Sequence, residues 1–456
     1  MGATEELCHK VARDVRYEQL PAPVVAAARG ALMDGVGNML AGSREPLSDV
    51  VMRHLLRFPG PPVATVVGRG VRLGPADAAF ANGIFCHCMD YELMWYPPTH
   101  PTGPVLAAIL AVAQIHPVSG RDAVAALVAG FEIQGQLSQA IVDTGTRWPN
   151  GLHPPGIVGP FGAALSAAML LGLPPGQVQS ALGIVGSRLG GLMGNTGTMT
   201  KSSHTGHSAR MGLESALLAQ GGFTGSQQIL ETKHGFNDSY FRGTLDLASV
   251  VSRFGDPYRM VTPGLVVKKY PSQYPTHWSI DAALQVRSAP GFTAAAIDRV
   301  SVEVGADNEA ARPEDPTTGL AGKFSIAYTV AAALLDGRVD IETFRDERLE
   351  SADLRQMLRR IEVVRRPEVH AMDFAAAWSR VTVTLTDGQE LTARVDRPLG
   401  IWDNPLPWPV WVRKFEDCAA RAIPREQAQR IRTGIEEFDQ IADVGHDFVP
   451  LLAAAG

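Results

Sequence analysis

The stretch Val381-Thr382-Val383-Thr384-Leu385-Thr386-Asp387-Gly388-Gln389-Glu390-Leu391-Thr392-Ala393-Arg394-Val395 decides how the chain divides. Val381, Val383 and Leu385 alternate with threonines, Leu391, Ala393 and Val395 alternate with Thr392 and Arg394, and Asp387-Gly388 stands between the two runs. Alternation of period two buries one face of a strand, and Asp-Gly accepts the positive φ angles of a tight turn, so the stretch predicts a β-hairpin with one covered face. Working outward, Val300, Val302 and Val304 alternate in the same way, and Ile361–Val364 is a further strand candidate. Two helical stretches, about 277–288 and 322–336, lie between these strands. Residues 267–397 therefore form a small α/β domain. Elsewhere the pattern is helical: Pro104–Ile115, Arg121–Ile141, Val158–Leu171, Ala209–Gln220 and the closing Val410–Leu452. Several of these are apolar nearly all round, which implies helices packed inside other helices. The expected class is mainly α, with a large all-α domain built from both termini, 1–266 plus 398–456.

The totals agree with an ordinary enzyme. Of 456 residues 45% are apolar and 19% charged, enough for a large interior and more than one domain. A net charge of -6 argues against nucleic acid or an anionic membrane as partner. The amino terminus is charged throughout and lacks the apolar middle of a signal peptide. From Trp148 to Ser187 no Asp, Glu, Lys or Arg occurs, but Pro154, Pro155 and Pro160 interrupt the run, so it predicts buried helices and a loop, not a membrane span. Cys8, Cys86, Cys88 and Cys418 offer no disulfide framework, which fits reduced thiols in the cytoplasm. Alternate residues of Cys86-His87-Cys88 point in different directions, so no metal is expected there.

Four segments are out of place in a plain helical scaffold. Asp90-Tyr91-Glu92-Leu93-Met94-Trp95-Tyr96-Pro97-Pro98-Thr99-His100-Pro101 is a proline-stiffened loop with a carboxylate at its start and an imidazole at its end; rigid loops of this kind often carry function. Asn150-Gly151-Leu152-His153-Pro154-Pro155-Gly156 places an imidazole at a helix start, where the backbone favours the neutral ring and a neighbouring anion. In Gly197–Arg210, hydroxyls accompany Lys201, His204, His207 and Arg210 just before a helix expected from about Ala209. Val267-Lys268-Lys269-Tyr270-Pro271, followed by Tyr274, His277 and Asp281, lies at the domain boundary, the usual place for a cleft. Convergence of these loops would give a cationic pocket for a small polyanion, with Asp90 as a carboxylate available to orient an imidazole.

At these segments the chain resembles the MmgE/PrpD family. Ala81-Asn82-Gly83 leading to Met89-Asp90-Tyr91 is similar to that family's A-N-G…H-x-x-D-[FY] element, and Thr99-His100-Pro101 to its T-H-P turn. Gly151-Leu152-His153-Pro154, Thr200-Lys201 through His204, Lys268-Lys269-Tyr270-Pro271 with Thr276-His277-Trp278, and Lys323–Tyr328 resemble its remaining elements, in order along the chain. The resemblance implies an α/β lid over the helical domain, a homodimer, and chemistry on di- or tricarboxylates with no cofactor and no metal. It implies Asp90, His100, His153, Lys201, Lys268 and Tyr328 as catalytic residues. His204, His207, Lys269, Tyr270 and His277 complete the expected substrate-binding set. The residues alone would place Tyr328 in the core. One departure stands out: the family continues D-[FY]-D-D-[TS], whereas Asp90-Tyr91 is followed here by Glu92, Leu93 and Met94, so the pocket rim is expected to differ.

The implied chemistry is proton movement beside a carboxylate, with Lys201 and Lys268 stabilising the developing charge and an imidazole or Tyr328 carrying the proton. A lyase similar to 2-methylcitrate dehydratase is the leading expectation. Decarboxylation of a cis-aconitate type acid, epimerisation of an amino-dicarboxylate such as iminodisuccinate, and a non-catalytic binding protein are the alternatives.

Overall fold

The computed structural model describes residues 1–97, 99–145, 151–306, 315–371 and 373–454. Pro98 and Asn150, each part of a candidate segment, lie outside the described residues. The fold is mainly α. Its body centres on the helices Ala22–Gly42, Pro75–His87, Thr102–Val112, Gly120–Asp143, Gly159–Leu170 and Met199–Gln220. Thr102–Val112 is buried at every position and Gly159–Leu170 at all but one, which is why these segments carry almost no polar face. Burying each Leu, Ile or Val contributes about 1.5–3 kcal/mol.

Small residues let the helices approach closely enough to juxtapose their side chains. A Cβ on Gly83 would meet the backbone of Gly206 at 2.9 Å, so Pro75–His87 and Met199–Gln220 cross with almost no spacer. That crossing brings His87 beside Lys201. The carboxy-terminal helices Trp408–Ala419 and Arg425–Glu436 pack into the same core through Phe415 and Ile431.

The second layer is a four-stranded sheet in the order Ile361–Arg366, Ile297–Gly305, Ser379–Leu385, Glu390–Val395; the first pair is parallel and the others antiparallel. The hairpin register pairs Val381 with Ala393 and Val383 with Leu391, and Gly388 at the turn has φ +85°. Helices His277–Arg287 and Ile326–Asp336 cover the apolar face, with Trp278 and Leu334 against Val300, Val302, Val381 and Val383. A short ribbon, Ala64–Thr65 with Arg72–Leu73, was not expected. The larger correction is the helix expected from Ala209, which begins at Met199. Its Ser and Thr side chains do not break it, because the Thr205 and Ser208 hydroxyls bond back to the carbonyls of Ser202 and His204 within the buried helix. No helix among the described residues is long and apolar enough to cross a membrane.

Candidate active site

The loop following Pro75–His87 is fastened by lysines from three distant parts of the chain. Lys323 Nζ donates to the Met89 carbonyl (3.0 Å), Lys268 Nζ to the Asp90 carbonyl (2.9 Å) and Lys414 Nζ to the Tyr91 carbonyl (2.7 Å). Three successive carbonyls thus each receive an ammonium group. Asp90 itself sits at φ +53°, a left-handed conformation that Asp tolerates better than most residues. The bend directs both its carbonyl and its carboxylate at Lys268, which is 1% exposed and pairs with Oδ1 at close range. A buried ammonium without such a partner would cost several kcal/mol. Lys201 Nζ lies 3.5 Å from the other Asp90 oxygen.

Glu92, fully buried, holds the imidazoles. One oxygen pairs closely with His87 Nδ1, and His100 Nδ1 lies 3.0 Å from the same oxygen without an aligned hydrogen bond. His87 Nε2 lies 3.1 Å from Lys201 Nζ. With Nδ1–H directed at Glu92, that nitrogen is left as the acceptor. The His100 and His153 rings pack against His87 at 4.7 and 5.6 Å between centroids, and His153 Nδ1 meets His204 Nδ1 at 3.0 Å.

The electrostatics follow from this packing. Burial alone would raise the Asp90 and Glu92 acids, but lysines around Asp90 and imidazoles around Glu92 outweigh it and hold both well below the ordinary range. Burial, with Glu92 opposing, lowers His87 to about 4; burial and the nearby Lys201 push His153 well down and His204 to about 4. Burial also lowers Lys201, with Asp90 opposing. His87, His153 and His204 are therefore neutral at pH 7, and the buried carboxylates Asp90 and Glu92 stand beside Lys201 and Lys268 in the same cluster. The lysines thus have buried carboxylates beside them, so the pocket is not the simple cationic one that the loop composition implies.

Asp90, His100, His153, Lys201 and Lys268 all line one cavity of about 640 Å³, whose wall also includes Met94, Tyr96, Leu152, Met193, Gln273, Tyr274, Phe324, His370, Asp373 and Phe374. His204 stands behind His153. The remaining candidates are elsewhere. Tyr328 is buried in the core of the sheet layer, its hydroxyl donating to the Thr343 carbonyl, and does not line the cavity. Lys269 and Tyr270 both engage Asp281; His277 is enclosed between Tyr270 and Tyr274; His207 is exposed against Phe80. Leu93, expected at the rim, is in the body core, its backbone N–H donating to Asp34 (2.6 Å). Glu92 orients His87, whereas His100 stands between Glu92, 3.0 Å from its Nδ1, and Asp90, 3.8 Å from its Nε2.

His87 and Glu92 were missed. The signal for His87 was present, since it stands three residues before Asp90 as the family's H-x-x-D spacing requires. With His100 they are the one group among the described residues whose His, Cys, Asp or Glu donor atoms gather within 4.8 Å. Ligands around a tetrahedral zinc lie about 3.3 Å apart, given metal–ligand lengths of ~2.0–2.1 Å. The His87–Glu92 contact is tighter than that, and these two groups are hydrogen-bonded to each other, with His100 beside them.

Comparison with known proteins bears on this arrangement. Residues 5–248 match the model of the MmgE/PrpD N-terminal domain and residues 270–440 that of the MmgE/PrpD C-terminal domain. The chain belongs to the MmgE/PrpD family. Similar proteins include the cis-aconitate decarboxylase of Mus musculus, 29% identical over 94% of this chain and 89% of that protein. The Homo sapiens cis-aconitate decarboxylase is 28% identical (92% and 88%), and that of Aspergillus terreus 27% (97% and 94%).

Proposed function

We propose that this MmgE/PrpD protein is a lyase that removes carbon dioxide or water from a small unsaturated or hydroxylated polycarboxylic acid, without a cofactor. Decarboxylation is the favoured reaction, by likeness to the cis-aconitate decarboxylases. The observation that carries the reading is the convergence of Asp90, His100, His153, Lys201 and Lys268 on one wall of a cavity. Groups able to hold a carboxylate and groups able to pass a proton thereby face the same space.

The placing of carboxylates beside the lysines gives the mechanism its order. A carboxylate arriving beside Lys201 and Lys268 brings further negative charge into the pocket. That added charge raises the affinity of His153 for a proton, so the substrate itself arms the acid. In decarboxylation of a β,γ-unsaturated acid, the bond to the departing carboxyl carbon breaks and its electron pair forms a new double bond. The former double bond shifts its pair to the far carbon, which takes the proton from imidazole or Lys201. Water then reprotonates the donor. Asp90 keeps both lysines in place, and Glu92 fixes which nitrogen of His87 faces Lys201. In dehydration the same groups act in another sequence, a base removing the α-proton and an imidazolium protonating the departing hydroxyl.

Mass spectrometry of a panel of unsaturated and hydroxylated di- and tricarboxylic acids tests the reading, with product expected at a loss of carbon dioxide or water. Activity should survive chelator treatment; inhibition reversed by added metal would count against cofactor-free chemistry. A second reading, epimerisation, draws on the presence of two imidazoles, His100 and His153, on the wall. It requires deuterium incorporation from heavy water at the α-carbon with no fragment lost. A cytoplasmic homodimer is part of the same proposal, and solution mass by light scattering tests the dimer.

A further inference from the structure

Part of the cavity lining has a chemistry of its own. Beside the charged groups, the lining carries Met94 and Tyr96 from the loop after Pro75–His87, and Tyr274 and Phe374 from the sheet layer, which pack in one cluster. The wall is preformed: Phe374 meets Tyr96 at 5.5 Å and Tyr274 at 5.0 Å between centroids. Met94 is held by two backbone hydrogen bonds with Val266, of 2.8 and 2.7 Å, and is 4% exposed. It occupies the position where the family pattern has Thr or Ser. Asp373 lines the cavity next to Phe374, with His370 also in the lining, so a further substrate carboxylate beside Asp373 would meet a like charge. Cavities of roughly 300–1,000 Å³ suit ligands of drug size. A citrate-sized acid would fill only a minor part of about 640 Å³.

We infer that the substrate is a carboxylic acid bearing an apolar substituent several carbons long. Its acid end lies at Lys201 and Lys268, and its substituent lies against Met94, Tyr96, Tyr274 and Phe374. This rests on the reading of the charged wall as the place where chemistry occurs, and it adds the class of acid. A purely polar polyacid would leave the aromatic wall in contact with water and bring a charge toward Asp373. An alkyl or aryl substituent removes both costs at once.

The test uses the intact wild-type chain and inert ligands. Calorimetry is run with 2-methyl-, 2-butyl-, 2-hexyl- and 2-octylsuccinate, and with tricarballylate as the polar comparison. Each methylene should tighten Kd about 3- to 4-fold until the cavity is filled, and tricarballylate should bind more weakly than the butyl compound. Met94→Thr, which leaves every group of the charged wall in place, should flatten the early part of the series. Affinity unchanged or falling with chain length, or tricarballylate binding tightest, overturns the inference. The calorimetry does not depend on turnover. A graded series with no acid of the panel converted would therefore remove the lyase reading and leave the substituent class standing. Turnover of small polyacids with no chain-length preference would do the reverse.

Discussion

The two walls of the cavity are stabilised in opposite ways. At the charged wall every group is held by another: Lys268 by Asp90, His87 by Glu92 and Lys201, and the loop carbonyls by three lysines. Tyr96, Tyr274 and Phe374, which line the same cavity, pack ring against ring. Removing a member of the first wall leaves a buried charge unpaired, whereas trimming the second leaves a larger space. The difference teaches where sensitivity should lie. Chemistry depends on the charged wall through individual atoms, and substrate choice depends on the aromatic wall through its shape.

The largest effect should come from Lys201→Ala or His153→Ala. Each should lower kcat/KM by about 10²–10⁴, the range for a lost acid–base or charge-stabilising group, with circular dichroism unchanged. Turnover near wild type in either would show that the charged wall is scaffolding and erase the contrast. Glu92→Gln comes next and separates positioning from charge. Loss of the carboxylate frees His87 and His100, so kcat should fall by about 10- to 100-fold. It also removes one negative charge from the pocket, so an inert dicarboxylate should bind more tightly than to wild type. A fall in kcat with weaker anion binding would refute this electrostatic role.

Sequence reading was reliable where the signal is local and weak where it depends on convergence. The hairpin around Asp387-Gly388 and the apolar helices follow from periodicity within a dozen residues. Asp90, His100, His153, Lys201 and Lys268 stood out because charged or imidazole groups sat in proline- and glycine-rich surroundings. Lys414 gave no such signal, being a single lysine in an ordinary helical context, and Lys323 stood out only as the start of a family-like element; the role of each exists only once segments more than 200 residues apart meet at residues 89–91. His87 was hidden between two cysteines that drew attention to metal. Leu93 was misplaced because a change from acid to apolar residue looks like a change of rim, when here it marks a residue turned into the body core.

Acid should weaken the charged wall before it reaches the aromatic one. His87 is neutral when folded, its pKa lowered to about 4 chiefly by burial, whereas in the unfolded chain it titrates near 6.5. Between those values the unfolded state binds a proton that the folded state does not. Stability must therefore fall as pH drops through that window, by on the order of 1–3 kcal/mol from this residue. Chemical denaturation at pH 7.5, 6 and 5 measures the slope. His87→Gln should flatten it; an identical slope in the variant would mean that the imidazole is protonated when folded.

The smallest effect is expected at Tyr328, and it bears on which wall this residue serves. Resemblance places the phenol among the catalytic groups, whereas its hydroxyl here donates to the Thr343 carbonyl within the core that includes Phe344 and Leu334. Tyr328→Phe keeps the ring and removes one buried hydrogen bond, a loss of about 1 kcal/mol of stability. Because the phenol does not line the cavity, kcat and KM should each stay within about 3-fold of wild type, well under the effect of losing a proton-transfer group. A fall of two orders of magnitude in kcat with unchanged stability would require the phenol to reach the substrate in the working enzyme. The charged wall would then be incomplete as described, because its proton donor would come from the sheet layer.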